Sequence, residues 1–412
     1  MLVVAVTAAM AQSATKSPYS QFGLGVLSDR SQGMSRGMNG VGVALQQGNV
    51  VNTLNPASYG GVDSLTMIFD ASITGQLTNF QEGGTRQNAK SASFEYITAS
   101  FRAWRNVGVA VGVLPLTNVG YSYTTTSVVN QEYGTLSESY SGEGGLHEAF
   151  LGMGWRPLKP LSIGVNAGYV WGDINRTVLS SNSSINNLMK SYSASVQSYK
   201  LDLGVQWQQP VGKKDVLALG ATMGIGHKLG ADAKLDIINV TDPDTTSFNA
   251  GNVMELPWSY AVGLAYRHNN SLTIAADAEM QQWGKTAFPA YVNGNYVATN
   301  DLLKDRLKLN VGAEWVPNAV DTRHYLKRVH YRFGAGMSTP YYKVNGQDGP
   351  KDFSVSLGLG LPIQNSYSNR SILNISGQWV RSSAKDFITE NMFRINIGIT
   401  FNERWFAKWK VE

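Results

Sequence analysis

Apolar and polar positions alternate with a period of two through most of the chain. In the stretch NMFRINIGITF (391–401), Ile395, Ile397, Ile399 and Phe401 fall on one side of an extended backbone. Arg394, Asn396, Gly398 and Thr400 fall on the other. The same alternation recurs in KLDLGVQWQQP (200–210), LTIAADAEMQQWG (272–284), RLKLNVGAEWVP (306–317) and ILNISGQW (372–379). Period two is the signature of strands with one apolar face. About fourteen such stretches lie between residues 63 and 402, several longer than ten residues, where strands of soluble domains mostly have about 5–6. Strands of that length can cross hydrocarbon at a tilt, apolar side towards lipid and polar side towards a lumen. An even number lets an antiparallel barrel close without leaving an edge in lipid.

Connections between the stretches fall into two alternating sets. Short ones at 105–106, 156–160, 210–215 and 268–270 suit periplasmic hairpins; long polar ones at 80–89, 128–142, 181–192, 239–253, 286–304, 342–351 and 383–390 suit the cell surface. The stretch LSSNSSINNLMKSY (179–192) has room for one short helical turn. Trp104, Trp155, Trp207, Trp283, Trp315 and Trp379 lie near strand ends, where amphipathic rings prefer the headgroup level, and together they read as a girdle. The expected architecture is therefore an all-β, fourteen-stranded antiparallel transmembrane β-barrel over 63–412, in the bacterial outer membrane.

Composition sharpens this picture. The 412 residues carry only 15% charged residues but 43 Gly, 19 Tyr and 10 Trp, whereas a soluble domain averages roughly 25% charged. With 34 basic and 29 acidic residues the net charge is +5, too thin and too dispersed an excess for nucleic acid. The absence of cysteine removes thiolate nucleophiles and thiolate metal ligands. Residues 1–11 resemble the apolar core and Ala-Met-Ala cleavage site of a signal peptide that lacks its basic leader.

Residues 12–62 lack the alternation but hold too much Leu, Val and Met for a disordered tail. A barrel of fourteen strands is wide enough to leave a channel open unless something fills it. The segment is expected to be an N-terminal hatch or plug inside the lumen. Its glycines would permit close approach to the wall, and Asp29, Arg30 and Arg36 would meet lumen charges such as Asp277, Glu279, Lys308 and Glu314. Its apolar side chains Phe22, Leu24, Met34 and Met38 are the candidate substrate-binding residues. Pro115, in VGVLPLTNVG, is a candidate interruption of strand pairing.

No catalytic constellation emerges. The five histidines have no metal-ligand spacing. Ser141, His147 and Glu148 come without a nucleophile elbow, and the sparse acids of 239–252 fall short of a calcium loop. No catalytic residue, cofactor or metal is expected, and the chain is not read as an enzyme.

The elements SPYSQFGLG, SRGMNGVGVAL and NTLNPASY resemble the N-terminus of FadL/OmpP1/TodX-type outer-membrane proteins, in the form common among Bacteroidota. Asn55-Pro56-Ala57 matches the Asn-Pro-Ala element that precedes their barrels. MELPWSYAVGLAYRHNNSLTIAADAEMQQWG (254–284) and the ending RINIGITFNERWF are similar to strands of that group. The resemblance implies a plugged fourteen-stranded barrel that imports fatty acids or other hydrophobic compounds. A non-enzymatic barrel subunit of a larger outer-membrane assembly is the alternative, because one fold hosts unrelated functions. The implied partners are outer-membrane lipid and lipopolysaccharide, a hydrophobic ligand, and other outer-membrane proteins or lipoproteins.

Overall fold

In a computed structural model, the described residues are 15–130, 134–182, 185–242, 244–321, 323–363 and 371–403; the 1–11 leader falls outside them. Fourteen strands form the wall. The first seven are β1 (Met67–Glu82), β2 (Thr85–Trp104), β3 (Val107–Pro115), β4 (Gly134–Trp155), β5 (Leu161–Asn182), β6 (Ile185–Val211) and β7 (Asp215–Gly224). Then come β8 (Ser259–His268), β9 (Leu272–Gln281), β10 (Arg306–Trp315), β11 (His330–Ser338), β12 (Lys351–Ile363), β13 (Ser371–Ser383) and β14 (Thr389–Glu403). Each pairs antiparallel with the next, and β14 pairs with β1 over Met67↔Glu403 to Gln81↔Thr389, which closes the barrel. Closure leaves neither β1 nor β14 as a free edge in lipid.

The alternation resolves as an inside-out pattern. Ile395, Ile397, Ile399 and Phe401 are 42–61% exposed on the outer surface, whereas Asn396 and Thr400 are buried. Asn396 donates to Ser72 Oγ at 2.7 Å and Thr74 Oγ1 at 2.8 Å, and Thr400 donates to Asp70 at 3.1 Å. Apolar side chains outside and a hydrogen-bonded polar lining inside place this barrel in the bacterial outer membrane. Trp104, Trp155, Trp207 and Trp315 are exposed outwards at the short-turn end. Trp283 is not part of that girdle. It is 3% exposed and packs against Tyr341 with ring centroids 4.7 Å apart.

The long connections are more ordered than their polarity suggests. Most of 80–89 and much of 128–142 continue as strand, and β5 and β6 run on through most of 181–192 in place of a helical turn. The 239–253 stretch completes a hairpin, Ala231–Asn239 with Asp244–Gly251, joined to the extended β6. Residues 288–299 form another hairpin, Phe288–Val292 with Asn295–Thr299. Ser, Thr and Tyr fit an extramembrane ladder wet on both faces, so pairing there leaves no hydrophobic alternation to read.

Among the described residues, the wall is interrupted beside β3. Pro115 has no amide hydrogen to donate, and β3 pairs with β2 only from Val107 to Val113. Beyond Leu116 the chain resumes as Thr117–Asn130, paired to β4 through Val119↔Gly144 and onwards. Among the described residues it has no pairing to β2. In its place, Val26 and Leu27 of the N-terminal segment pair with Asn118 and Thr117.

Candidate functional site

Residues 15–62 lie against the inner face of the wall. The chain is pinned first at the long-loop end, where Ser17 Oγ donates to Glu390 at 2.6 Å and Gly120 N donates to Ser20 Oγ at 3.0 Å. It ends at the short-turn end in a short 3-10 helix, Pro56–Gly61, capped by Asn55, whose side-chain oxygen accepts from Ala57 N. This Asn-Pro-Ala cap rests on a row of wall glycines. Gly108, Gly154, Gly164 and Gly204 are register partners across β3, β4, β5 and β6. A Cβ at Gly154 would lie 2.5 Å from Gly60 N, and one at Gly164 would lie 2.5 Å from Ala57 N. Gly312 and Gly334, partners on β10 and β11, make the same space under Met38. Close approach therefore depends on glycines of both partners: in the segment, a Cβ at Gly25 would lie 2.6 Å from Asn118 O and one at Gly33 2.5 Å from the Asn374 side chain, while the wall's share is not revealed by any one strand.

Charges fix the middle of the segment. Arg30 pairs with Glu148 at 3.1 Å and Asp202 at 3.3 Å, and Lys200 also pairs with Asp202. Arg36 pairs with Glu95 at 2.9 Å and with Asp29 at 3.5 Å. Burial alone would raise the Asp29 carboxyl, but Arg36, Lys308 and the Ser31 amide hold it well below the usual carboxylate range. Asp277 accepts from the amides of Gly42 (2.6 Å) and Val43 (2.9 Å). Glu314 is bound by Arg332 at 2.7 Å within the wall. Of the lumen carboxylates expected to hold the segment, Asp277 does so through backbone amides. Glu314 is taken by its neighbour, and the partners of Arg30 are Glu148 and Asp202.

Above this layer lies a cavity of about 290 Å³. Its lining includes Tyr19, Leu24, Leu27, Leu256, Trp283 and Tyr341, together with Arg30, Lys200, Lys308 and Glu390. It reaches Leu116 and Thr117 at the wall interruption. The four candidate residues do not form one pocket. Leu24 lines the cavity within a cluster containing Leu116, Leu229, Leu256 and Tyr341. Phe22 stacks on Tyr342 with centroids 5.3 Å apart. Met34 and Met38 belong to a separate cluster with Leu45, Ala218, Ala265 and Ala275. The aromatics Trp283, Tyr341 and Tyr342 lie just beyond the ends of β9 and β11, where nothing in the alternation marks a shared lining.

Hydrolytic chemistry has no geometry here. Ser141 and His147 are on the same extended strand, six residues and so on the order of 20 Å apart, and Glu148 faces Arg30. Among the described residues no group of His, Asp or Glu is arranged to hold a metal ion.

The fold matches solved outer-membrane channels end to end. The P. putida toluene transporter TodX aligns with a TM-score of 0.62 at 14% identity, covering 92% of this chain and all of its own. The CymD monoaromatic hydrocarbon channel aligns at 0.60 and 14% identity, over 94% of this chain and 100% of CymD. The Ralstonia pickettii toluene transporter TbuX aligns at 0.60 and 13% identity, over 90% and 97%. At such identities the likeness is one of fold, the FadL/TodX-type fourteen-stranded barrel. Among curated proteins, none matches the chain. A family model, described as BamG, matches residues 1–412, and the chain belongs to the BamG family.

Proposed function

We propose that this protein is a channel for hydrophobic small molecules, fatty acids among them, with residues 12–62 as its plug and 63–412 as its barrel. The observation that carries the reading is the cavity that reaches from Tyr341 and Trp283 to Leu116 and Thr117. A ligand entering from the cell surface would be desolvated against Leu24 and the aromatics. It would leave sideways where β3 breaks, shielded from the periplasm by the ion-paired layer below. The Asn-Pro-Ala cap and the SPYSQFGLG element support the Bacteroidota form of this scaffold. Leu24 is the substrate-facing member of the candidate set, with Phe22 stacked behind the lining on Tyr342; Met34 and Met38 anchor the plug to the wall. A fluorescent acyl probe and toluene should bind the folded protein and bind the Leu24→Trp variant at least tenfold more weakly. Equal binding by both proteins would defeat the assignment.

A second reading, a barrel subunit of a larger outer-membrane assembly, is favoured by a different observation. The cavity is ringed by Arg30, Lys200, Lys308 and Glu390, a costly lining for a hydrocarbon to pass. The 288–299 hairpin also presents exposed Tyr291, Val292 and Val297 outside the barrel. Stoichiometric recovery of outer-membrane proteins or lipoproteins after crosslinking in native membranes, with no probe uptake, would establish this reading over the first.

A further inference from the structure

The short-turn rim carries a charge distribution that neither the channel nor the assembly reading uses. Arg105, Lys159, Lys213, Lys214, Arg323 and Lys327 are all exposed there. The described carboxylates at the same rim, Asp63, Asp215, Asp321 and Glu403, are only partly exposed. Each of the four has a partner within the protein; Asp215 accepts from His268 at 2.6 Å, and Asp321 pairs with Lys327 at 3.4 Å.

The turns are tied to one another. Arg156 N donates to Asn106 O at 2.8 Å, Gln208 N to Pro160 O at 2.7 Å, Asn269 N to Lys214 O at 2.8 Å, and Val316 N to Ser271 O at 2.7 Å. The cations thus sit on a connected arc from the β2–β3 turn to the β10–β11 connection. Their height in the membrane is set by the tryptophans. Trp104 immediately precedes Arg105, Trp155 is four residues before Lys159, and Trp207 is six before Lys213. All three rings are 42–68% exposed to the lipid side. Indole rings occupy the headgroup boundary, so a cation just beyond one meets the phosphate layer.

We propose that this arc is a binding surface for anionic glycerophospholipid headgroups of the periplasmic leaflet. Lipid phosphate is the occupant that fits, because the cations follow the aromatic belt around the barrel wall and stand beside acyl chains. An acidic protein would not need that coupling to Trp104 and Trp155. Each cation near a lipid surface contributes roughly a fivefold gain in binding, and the arc should be sensitive to salt.

The test uses the folded full-length barrel in detergent, titrated with phosphatidylglycerol or phosphatidylcholine of identical chains and read by native mass spectrometry. The wild type should prefer phosphatidylglycerol by at least tenfold. The variant Arg105→Gln/Lys159→Gln/Lys213→Gln/Lys214→Gln should lose most of that preference while keeping its heat-modifiable gel shift. The control Arg86→Gln/Lys90→Gln, at the opposite end, should retain it. Three outcomes would overturn the proposal: a preference that survives the quadruple change, a loss equal in the control, or lipid-independent capture of an acidic periplasmic protein with no lipid preference. Should the quadruple variant fail to fold, loss of the wild-type preference in 1 M salt serves as the deciding measurement, and its persistence there would overturn the proposal.

Discussion

Adding one methyl group to Gly154 or Gly164 should loosen the N-terminal segment, whereas the same change at Gly377 should not. Gly154 and Gly164 face each other across β4 and β5 beneath Pro56–Gly61. An alanine Cβ would lie 2.5 Å from Gly60 N and 2.7 Å from Pro56 O in the first case, and 2.5 Å from Ala57 N in the second. These neighbours are backbone atoms, so no side chain can rotate away. The turn is itself held by the Asn55 cap and by Val62 N donating to Tyr59 O at 3.1 Å. Relief requires shifting the turn or the strand by close to an ångström, and overpacking of this kind costs about 1–3 kcal/mol. The two sites press on one turn, so their double variant should cost less than the sum. Nothing lies within 4 Å of a Cβ at Gly377, and Gly377→Ala should change stability by no more than about 0.5 kcal/mol. Urea unfolding in lipid vesicles, followed by gel shift, gives the stability; planar-bilayer recording gives the frequency of opening. Gly154→Ala and Gly164→Ala should unfold earlier and open more often. Behaviour identical to Gly377→Ala in both assays would refute the cradle.

Other outcomes follow from the same contacts. Arg30→Met leaves Lys200 as the cation facing both the fully buried Glu148 and Asp202; losing a hydrogen bond to a charged group costs about 1.5–3 kcal/mol, and limited proteolysis should cleave residues 15–62 more readily. Ile397→Lys places a charge on the lipid face, where the penalty near the midplane is about 2–4 kcal/mol; refolding yields matching Ile397→Val would contradict the inside-out assignment. Asp321, in the connection after β10, is held at about 2 by the backbone amide of His324 and its neighbours. A depressed carboxyl stabilises above its ordinary value, so protection of the Arg323 and His324 amides should persist at pH 5 and fade as pH drops from about 3.8 towards 2, measured by NMR exchange corrected for intrinsic rates. Deleting 17–55 behind a signal peptide should leave a folded barrel with raised single-channel conductance, and unchanged conductance would place the segment outside the lumen's conducting path.

The wall was legible because each strand separates lipid from a wet interior, and that contrast writes itself into residues such as Ile397 and Asn396. Pro115 was legible for a related reason, since a missing donor is a local property. Trp283 was not: it sits near a strand end like the girdle tryptophans, and only the packing of Tyr341 draws it inside. The extramembrane hairpins were hidden because strands with two wet faces have no periodic signal. The partners of Arg30 were hidden as well. Glu148 and Asp202 are 54 residues apart on non-adjacent strands, and only the register of β4, β5 and β6 brings them to one guanidinium. The glycine row was invisible for the same reason, since four ordinary glycines become one shelf only through the register of β3 to β6.

The most direct test ties the N-terminal segment to the broken wall reversibly. Leu27 and Thr117 are antiparallel register partners, and the chain has no cysteine of its own, so Leu27→Cys/Thr117→Cys offers a single disulfide across the proposed exit. Cα separations in such pairs suit a disulfide. Uptake of toluene or a fluorescent acyl probe by vesicles carrying this variant should fall to background when oxidised and recover on reduction. Uptake that is equal in the two redox states, or absent in both and in the wild type, would contradict a channel that releases its cargo beside β3.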